Sequence, residues 1–454
     1  MLTPGRRRRP RREPAIAAGL LILVGIVVAV IALSSGGAPH TRPKPAPTPT
    51  AVRAPHRPAH HHRRAFRSTF LWPFYGYSGA RSRDFGAPSG FGPPLRRGWT
   101  YNNFALLEFP PVLYHNALFF IGYNGLAKAV NKLNGHLIWR RGLGTLSAAS
   151  PAIDPGRGLV FFPLLSRTRG ARLPGNGRFV ALSTKNGRIV WSRKVPAGSE
   201  SSPLVQRGNV YFGDAGGTIY SFRAGTGHLN WTFQASGAVK GGLAYSAGHL
   251  YFGDYAGRVY SVNAANGHEV WASSLGGTIY GSAAVAFGKV YVGDTDHRVY
   301  ALSKSSGRLI WDASTSDYVY SSPAAANVGG LGPTVYIGSY DGNFYALNAE
   351  SGATRWSHAS GERISGSGTI IGHVIYYGVL GVKNSIGLNT RTGREVFFYP
   401  DGAFASAVAD HRALYLIGYS TIYQMFPRRR GAHHGPKRRA PHRRPRRGHR
   451  AHRH

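Results

Sequence analysis

A fifteen-residue pattern that recurs along the chain constrains its fold more than any other feature. In one copy, residues 257–271 read GRVYSVNAANGHEVW, and similar strings end at five other tryptophans. These repeat tryptophans are Trp139, Trp191, Trp231, Trp271, Trp311 and Trp356, at intervals of 52, 40, 40, 40 and 45 residues. A glycine lies four residues before each of them. Regular periods of about 20 to 50 residues are typical of repeat architectures.

Each repeat unit contains four short predicted strands. Around Trp271 they cover 242–246, 249–253, 258–263 and 269–273. Alternating apolar and polar residues, with Gly, Asn and Asp in the connections, are typical of antiparallel strands. Helical repeats would need longer segments with a period of about 3.6 residues, which these Gly- and Tyr-rich strings do not supply. The sequence therefore predicts an all-β fold made of propeller blades.

The ends of the repeat region indicate how the ring closes. A seventh copy keeps Gly393 but has Phe397 in place of tryptophan. Three more predicted strands follow, at 405–410, 413–418 and 421–426. Upstream, Trp99 ends the string LRRGW, which resembles an outer strand without a blade. We predict that the Trp99 strand completes the last blade. The result is an eight-bladed β-propeller of four-stranded antiparallel blades over 95–426, closed by an N-terminal outer strand and without open sheet edges.

The units resemble the PQQ-type (tryptophan-docking) β-propeller repeat, whose signature is G-x-hydrophobic-Y-A-hydrophobic-(N/D)-x-x-(T/N/S)-G-x-x-x-W. The chain is similar to the propeller lipoprotein of the outer-membrane protein assembly machinery and to quinoprotein-like domains. In this family the tryptophan of each outer strand packs against the neighbouring blade. The resemblance thus implies a structural docking role for Trp99, Trp139, Trp191, Trp231, Trp271, Trp311 and Trp356.

The resemblance is compatible with two kinds of function, because the family contains PQQ-dependent dehydrogenases and non-catalytic members. The dehydrogenases hold the quinone with calcium, a catalytic Asp and commonly a vicinal disulfide, whereas this chain has no cysteine. It also lacks a cluster of acids and amides that would give calcium its six to eight oxygen ligands. Asp214, Asp254 and Asp294 recur at tight turns, where an aspartate bonds its own backbone. We expect no catalytic residue, no metal site and no cofactor, with a PQQ- and calcium-containing dehydrogenase as the alternative.

Register predicts a candidate ligand face on the propeller. Loops that enter the inner strands share one face with the loops between second and third strands. The varying positions there, nine residues after each repeat aromatic, include Glu200, Lys240, Tyr280, Tyr320 and Ser365. Variation on a repeated frame is where specificity is expected. The two tyrosines can stack on a sugar or a peptide side chain, and Glu200 can pair with Lys240. The alternative is that these are ordinary rim residues beside a water-filled channel.

One long insertion, residues 166–178, is expected on the same face. It is basic and rich in glycine, and its arginines include Arg167, Arg169 and Arg172. These side chains suit an acidic partner. The alternative is a solvated surface loop without a partner.

The N-terminal residues predict a membrane anchor. Residues 15–33 are an uncharged run of 19, long enough as a helix to span about 28 Å. Six arginines precede the run within 1–14 and only Arg42 and Lys44 follow closely, so the N-terminus is predicted to be cytoplasmic and the propeller extracytoplasmic. We expect a single-pass signal anchor in the cell membrane. A cleaved signal peptide is the alternative.

Two basic, low-complexity segments flank the repeats. The net charge is +38, and residues 1–68 and 427–454 hold 13 and 12 of the 56 Lys and Arg residues. Residues 34–94 are predicted to be a Pro/Arg/His-rich linker and 427–454 a disordered basic tail. We expect a monomeric, non-catalytic platform for envelope assembly or sensing that binds an envelope protein or anionic polymer, with chromosomal DNA excluded by topology. A polyanion- or cell-wall-binding protein acting through its tails is a further alternative.

Overall fold

The chain folds into an eight-bladed β-propeller, as the repeat predicted. A computed structural model describes residues 68–88, 90–144, 146–165, 177–405 and 407–428. Within these residues, 34 strands form eight sheets, six with four strands and two with five. None of the described residues belongs to a helix long and apolar enough to cross a membrane. The predicted spanning segment at 15–33 lies outside the described residues.

The first four blades follow one another along the chain, each with its innermost strand first. Blade 1 contains β4 (Val112–Tyr114), β5 (Ala117–Ile121), β6 (Leu126–Asn131) and β7 (Leu137–Gly142). Blade 2 contains β8 (Ala152–Asp154), β9 (Leu159–Leu164), β10 (Gly177–Ser183) and β11 (Ile189–Val195). Blade 3 contains β12 (Leu204–Gln206), β13 (Asn209–Gly213), β14 (Thr218–Arg223) and β15 (Leu229–Gln234). Blade 4 contains β16 (Ala244–Ser246), β17 (His249–Gly253), β18 (Arg258–Asn263) and β19 (Glu269–Ser274).

The next three blades repeat this order, and the eighth is composite. Blade 5 contains β20 (Ala284–Ala286), β21 (Lys289–Gly293), β22 (Arg298–Ser303) and β23 (Leu309–Ser314). Blade 6 contains β24 (Ala324–Val328), β25 (Gly332–Gly338), β26 (Asn343–Asn348) and β27 (Thr354–Ala359). Blade 7 contains β28 (Thr369–Ile371), β29 (Val374–Val379), β30 (Asn384–Asn389) and β31 (Glu395–Tyr399). Blade 8 contains β32 (Val408–Ala409), β33 (Leu414–Ile417), β34 (Thr421–Pro427) and, as its outer strand, β3 (Leu95–Asn102).

The core lies between adjacent blades. The second and third strands of a blade are buried on both faces, as in β17 and β18, whereas outer strands such as β19 are half exposed. This follows from the architecture, because each blade is packed between two neighbours. Aromatic rings stack across the blade boundaries. The Phe179 and Phe212 centroids are 4.0 Å apart, and those of Phe344 and Tyr377 are 4.2 Å apart.

Each repeat tryptophan contacts the following blade. Its indole Nε1 donates a hydrogen bond to a carbonyl there, over distances of 2.8–3.2 Å for Trp99, Trp139, Trp191, Trp231, Trp271, Trp311 and Trp356. The ring lies against the repeat glycine of that blade. At Gly307, for example, φ is +71° and an added Cβ would be 2.5 Å from the Trp271 ring. Glycine is needed at this position both for its backbone conformation and for the close contact.

The ring closes between blades 8 and 1. Strand β3 pairs antiparallel with β34, and the Trp99 indole donates to the Lys132 carbonyl in blade 1. The same carbonyl accepts a hydrogen bond from Gln424 Nε2 at 2.8 Å. Nearby, the Lys132 ammonium and the Asp410 carboxylate form a buried salt bridge of 2.6 Å. These contacts join the N-terminal strand, the last blade and the first blade.

The linker prediction for 34–94 is wrong for residues 68–88, here called the plug. The plug contains β1 (Leu71–Trp72) and β2 (Asp84–Phe85), and both Trp72 and Phe85 are buried. Strand β1 extends blade 1, and β2 pairs in parallel with β28 of blade 7. The composition changes at Phe70, where Pro, Ala and His give way to aromatic residues that can be buried. The prediction placed the boundary at the first repeat-like strand and passed over this change.

The plug follows the inner edges of the blades around one end of the central channel. Inner-strand amides of Ile153, Tyr245, Val285, Ala325 and Ile370 donate hydrogen bonds of 2.7–2.9 Å to plug carbonyls. These five residues belong to blades 2, 4, 5, 6 and 7. An innermost strand is a sheet edge with unpaired backbone groups, and the plug supplies their partners. The channel is therefore closed by the protein's own chain.

Candidate ligand-binding face

Five of the predicted residues lie at one end of the channel, here called the mouth. The mouth consists of the loops that enter the inner strands and the loops that join second and third strands. The predicted residues found there, in the loops entering blades 3 to 7 in that order, are Glu200, Lys240, Tyr280, Tyr320 and Ser365. The register used for the prediction therefore places them side by side around the axis.

Glu200 and Lys240 form a salt bridge across adjacent blades. The Lys240 ammonium is 3.1 Å from Glu200 Oε1, and the side chains are 17% and 24% exposed. Both side chains are thus mostly buried, and the pair holds the lysine in place. Its ammonium lies 5.1 Å and 5.6 Å from the ring centroids of Tyr255 and Tyr280, within the range of a cation–π interaction.

Tyrosines continue around the mouth as an arc of edge-on and tilted contacts. The Tyr280 and Tyr320 centroids are 5.0 Å apart with an interplanar angle of 74°. Tyr255 contacts Tyr280 at 5.6 Å, and Tyr340 contacts Tyr320 at 4.6 Å. We call these four residues the tyrosine arc. All four rings are half-buried, which leaves part of each at the surface.

Sequence reasoning missed two members of this arc, Tyr255 and Tyr340. Each follows the residue that begins the turn between second and third strands, in the strings GDY and GSY. The signal was therefore available, because the same loops had been assigned to this face. It was not used, because these loops were compared only for their aspartates.

Glu108 is a further mouth residue that the repeat did not reveal. It lies in the connection from β3 to β4, which precedes the first complete copy. Burial raises the pKa of Glu108 to about 7, and the negative charge of Glu200 adds to this rise while Lys240 opposes it. The pKa of Tyr123 rises to about 12 through burial and the charges of Glu108 and Glu200. The mouth thus combines phenol rings with carboxyl groups that repel each other.

The plug forms the floor beneath the mouth. The Tyr75 hydroxyl donates to Ser367 Oγ at 3.0 Å, and its ring contacts Phe109 at 5.5 Å. Burial alone would raise the pKa of Tyr75, but the Arg83 guanidinium and hydrogen bonds from serines outweigh it and hold the pKa below its usual value. Arg83 lies over the Tyr75 ring, with Cζ 3.9 Å from the centroid.

Arg81 fixes the plug to blades 3 and 4. Its guanidinium is buried and donates to the carbonyls of Leu243 at 2.6 Å, Tyr75 at 2.6 Å and Ser202 at 2.7 Å. Space for it exists because blade 4 has Gly242 where blades 3 and 5 have serine. A Cβ at position 242 would lie 2.7 Å from Arg81 Cζ. Gly242 therefore departs from the repeat at the position where Arg81 of the plug contacts the blades.

The recurring aspartates are occupied by their own turns. Asp254 accepts hydrogen bonds from the amides of Arg258 and Gly237 and from the Tyr260 hydroxyl, all at 2.9 Å. Asp214 and Asp294 also accept bonds from the amides of the turns they begin. Across the described ranges, no group of three or more His, Asp or Glu side chains is placed to hold a metal ion. The carboxylates are therefore already used by their own turns, and the plug lies among the inner strands. The residues present do not fit a calcium-bound quinone.

The insertion arginines remain a prediction. Arg167, Arg169 and Arg172 lie outside the described residues, since these resume at Gly177. Arg178, the next residue, donates from Nη2 to the Leu143 carbonyl of the neighbouring loop.

Comparison with known proteins agrees with this architecture. The profile of one protein family, described as "Outer membrane protein assembly factor BamB", matches residues 123–240 and 234–417. The chain belongs to this family. One curated relative, the outer membrane protein assembly factor BamB of Legionella pneumophila (strain Paris), is 27% identical over 114 residues, which is 25% of this chain and 29% of that protein. This match thus covers less than a third of that relative's length.

Solved structures share the fold at low identity. BamB from Moraxella catarrhalis superposes with a TM-score of 0.59 and 17% identity, over 75% of this chain and 99% of that one. A europium-containing methanol dehydrogenase superposes with a TM-score of 0.63 and 12% identity, over 77% and 90%. At these identities the likeness concerns the fold alone, which BamB and a methanol dehydrogenase share.

Proposed function

We propose that this chain is a non-catalytic, extracytoplasmic β-propeller that binds an envelope protein at its mouth. The observation that carries the proposal is the tyrosine arc, which runs over blades 4 to 6 beside the Glu200–Lys240 pair. Tyrosine gives a large contact area and a hydrogen-bonding hydroxyl at a small cost in conformational entropy, and it is enriched in protein interfaces.

The closed channel favours a macromolecular partner over a small substrate. Tyr75 and Arg83 of the plug are buried among the inner ends of the blades, and the recurring aspartates bond to their own turns. The partly exposed residues of the mouth come from the loops of several blades. Such a rigid set of loops suits the recognition of a polypeptide segment. The name of the curated relatives, outer membrane protein assembly factor, supports a partner in the envelope.

The proposed location depends on residues 15–33 as a single-pass anchor, with the propeller outside the cytoplasm. Support comes from the uncharged run of 19 residues and the six arginines before it. The linker that follows would set the distance between the propeller and the membrane.

One experiment tests both the location and the binding face. The natural chain has no cysteine, so a single introduced cysteine is the only thiol. Tyr318→Cys places it at the mouth beside Tyr320, and Val270→Cys places it on an outer strand; the natural side chains are 39% and 48% exposed. Spheroplasts carrying either variant would be treated with a membrane-impermeant thiol-reactive photocrosslinker.

We expect both variants to be labelled and only Tyr318→Cys to give a discrete protein adduct. Adding Tyr320→Ala to that variant should reduce the adduct, because it removes the centre of the tyrosine arc. Absence of labelling in both would contradict the location, and equal adducts from both would contradict the mouth as the binding face. Loss of the adduct on deletion of residues 428–454 would instead favour binding through the basic tail.

A further inference from the structure

The end of the propeller opposite the mouth carries an exposed basic residue in almost every blade. We call this end the underside; it consists of the loops that join first to second strands and third to fourth strands. In blade 4 the two loops are joined by a hydrogen bond of 2.9 Å from the Ala264 amide to the Gly248 carbonyl. Seven of the eight blades have an exposed arginine or histidine three residues before the repeat aromatic: Arg96, His136, Arg188, His228, His268, Arg308 and Arg394.

The two ends of the propeller differ in the sign of their charge. The described loops of the underside contain ten lysines or arginines and two acidic residues, Glu350 and Asp410. Both acids form salt bridges, with Lys289 and Lys132. The described loops of the mouth contain ten acidic residues and three lysines or arginines. The underside is therefore a positively charged surface, and the mouth is not.

The described chain enters and leaves the propeller at the underside. The amide of Ser68, its first residue, donates to Asn116 Oδ1 at 3.4 Å, and the Lys132 ammonium donates to Ser68 Oγ at 3.1 Å. The amide of Arg428, its last residue, donates to the Pro94 carbonyl at 2.9 Å, where the outer strand of blade 8 begins. Residues 1–67, with the uncharged run at 15–33, are thus joined to the propeller at this end.

Exposed apolar side chains lie next to the basic residues of the underside. In four blades the residue after the arginine or histidine is apolar and 43–46% exposed: Leu137, Ile189, Leu229 and Leu309. Basic residues beside large apolar ones are typical of segments that lie in the headgroup region of a membrane. A soluble anionic polymer would contact the charges but leave the apolar side chains in water. The combination favours a lipid surface.

We propose that the underside binds the surface of a membrane that contains anionic phospholipid, with the mouth turned away from the lipid. Its charge is opposite to that of the headgroups, and the segment with the predicted anchor is joined to the propeller at the same end. The mouth is then free to meet its partner. Which membrane is bound rests on the proposed location, whereas the binding itself depends neither on that location nor on the partner.

Fluorescence quenching in lipid nanodiscs tests the proposal. The full chain would be reconstituted with discs of phosphatidylcholine, alone or mixed with phosphatidylglycerol, that carry a quencher on their headgroups. A dye on Ala265→Cys reports on the underside and a dye on Tyr318→Cys on the mouth, since both natural side chains are exposed. With phosphatidylglycerol we expect quenching at Ala265→Cys that falls with added salt, and little quenching at Tyr318→Cys. With phosphatidylcholine alone neither dye should be quenched.

Two charge-matched double variants identify the surface that binds. Arg308→Gln with Arg394→Gln removes two exposed charges of the underside and should lower the ratio of bound to free propeller about 30-fold. Arg140→Gln with Lys194→Gln is the control, because these residues are exposed farther along the outer strands towards the mouth. It should leave the quenching at Ala265→Cys unchanged.

Four results would overturn the proposal. They are equal quenching in the two double variants, quenching at Tyr318→Cys in place of Ala265→Cys, and loss of quenching only when residues 429–454 are deleted, which would assign binding to the tail. The fourth is a dye response to soluble polyglutamate without a response to lipid composition, which would assign the underside to a polymer. The discs contain no other protein, so failure of the spheroplast experiment would leave this result readable.

Discussion

Replacing Gly242 with serine should destabilise the propeller, although serine is the repeat's own residue at this position. Ser282, Ser322 and Ser367 each use Oγ to accept the amide of the preceding blade, at 2.8–2.9 Å. By the repeat alone, Gly242→Ser restores a missing member of this series. The structure predicts the opposite, because an added Cβ would lie 2.7 Å from Arg81 Cζ and 2.8 Å from the Ser202 carbonyl oxygen.

The magnitude follows from what Gly242→Ser displaces. Overpacking in a filled site costs about 1–3 kcal/mol. Moving the Arg81 guanidinium also weakens its bonds to Leu243 and Ser202, and a hydrogen bond to a charged group contributes about 1.5–3 kcal/mol. A total loss of about 3–5 kcal/mol is expected. In an Arg81→Ala chain those bonds are already absent. Gly242→Ser should then lower the free energy of unfolding by only about 1 kcal/mol, from its contact with the Ser202 carbonyl.

Urea unfolding of the two single variants and the double variant measures this coupling. The control is Ser282→Gly in the next blade, which removes one hydrogen bond from the Gly242 amide and should cost about 1 kcal/mol with or without Arg81. The reasoning is refuted if Gly242→Ser is as stable as the natural chain. It is also refuted if the substitution costs the same in both backgrounds.

Two further predictions concern blade docking and the mouth. Gly307→Ala should lower the free energy of unfolding by about 2–4 kcal/mol, because its backbone is left-handed and the added Cβ would lie 2.5 Å from the Trp271 ring. Gly248→Ala is the control, since its φ is +87° but the Cβ would meet open space, and it should cost about 1 kcal/mol in the same urea unfolding assay. Glu108 has a pKa of about 7 in the folded chain, above its usual 4.5, so its contribution to stability is present below pH 4.5 and is lost as the pH rises through 7. Tm measured against pH should therefore fall over this range, and Glu108→Gln should flatten the fall; an unchanged slope would contradict the assignment.

The architecture could be predicted from residues close together in the chain. A glycine four residues before an aromatic, repeated about every 40 residues, marks both the turn and the outer strand of each blade. The same register assigned Tyr280 and Tyr320 to one face. It also assigned Trp99 to the last blade, because the strings around Trp99 and Trp139 resemble each other and the final set of strands lacked a fourth member.

The mouth was predictable only in part. Glu200 and Lys240 follow from register, because each occupies the same position in its repeat. Glu108 does not, because it lies in a connection outside the repeats and its pKa depends on the charge of Glu200 in another blade. Tyr255 and Tyr340 are intermediate cases, since they occupy a repeated loop that sequence reasoning compared only for its aspartates.

The plug was decided by tertiary structure alone. Its contacts join residues far apart in sequence, such as Arg81 with Leu243 and Tyr75 with Ser367, at separations of 162 and 292 residues. No local pattern encodes such pairs, and the plug itself has no period. The sequence alone determined a closed ring of repeated blades, because each blade is specified by its own forty residues. The position of the plug depends instead on the space that the assembled blades leave for its side chains. Gly242 is an example, because its missing Cβ leaves the space that Arg81 occupies.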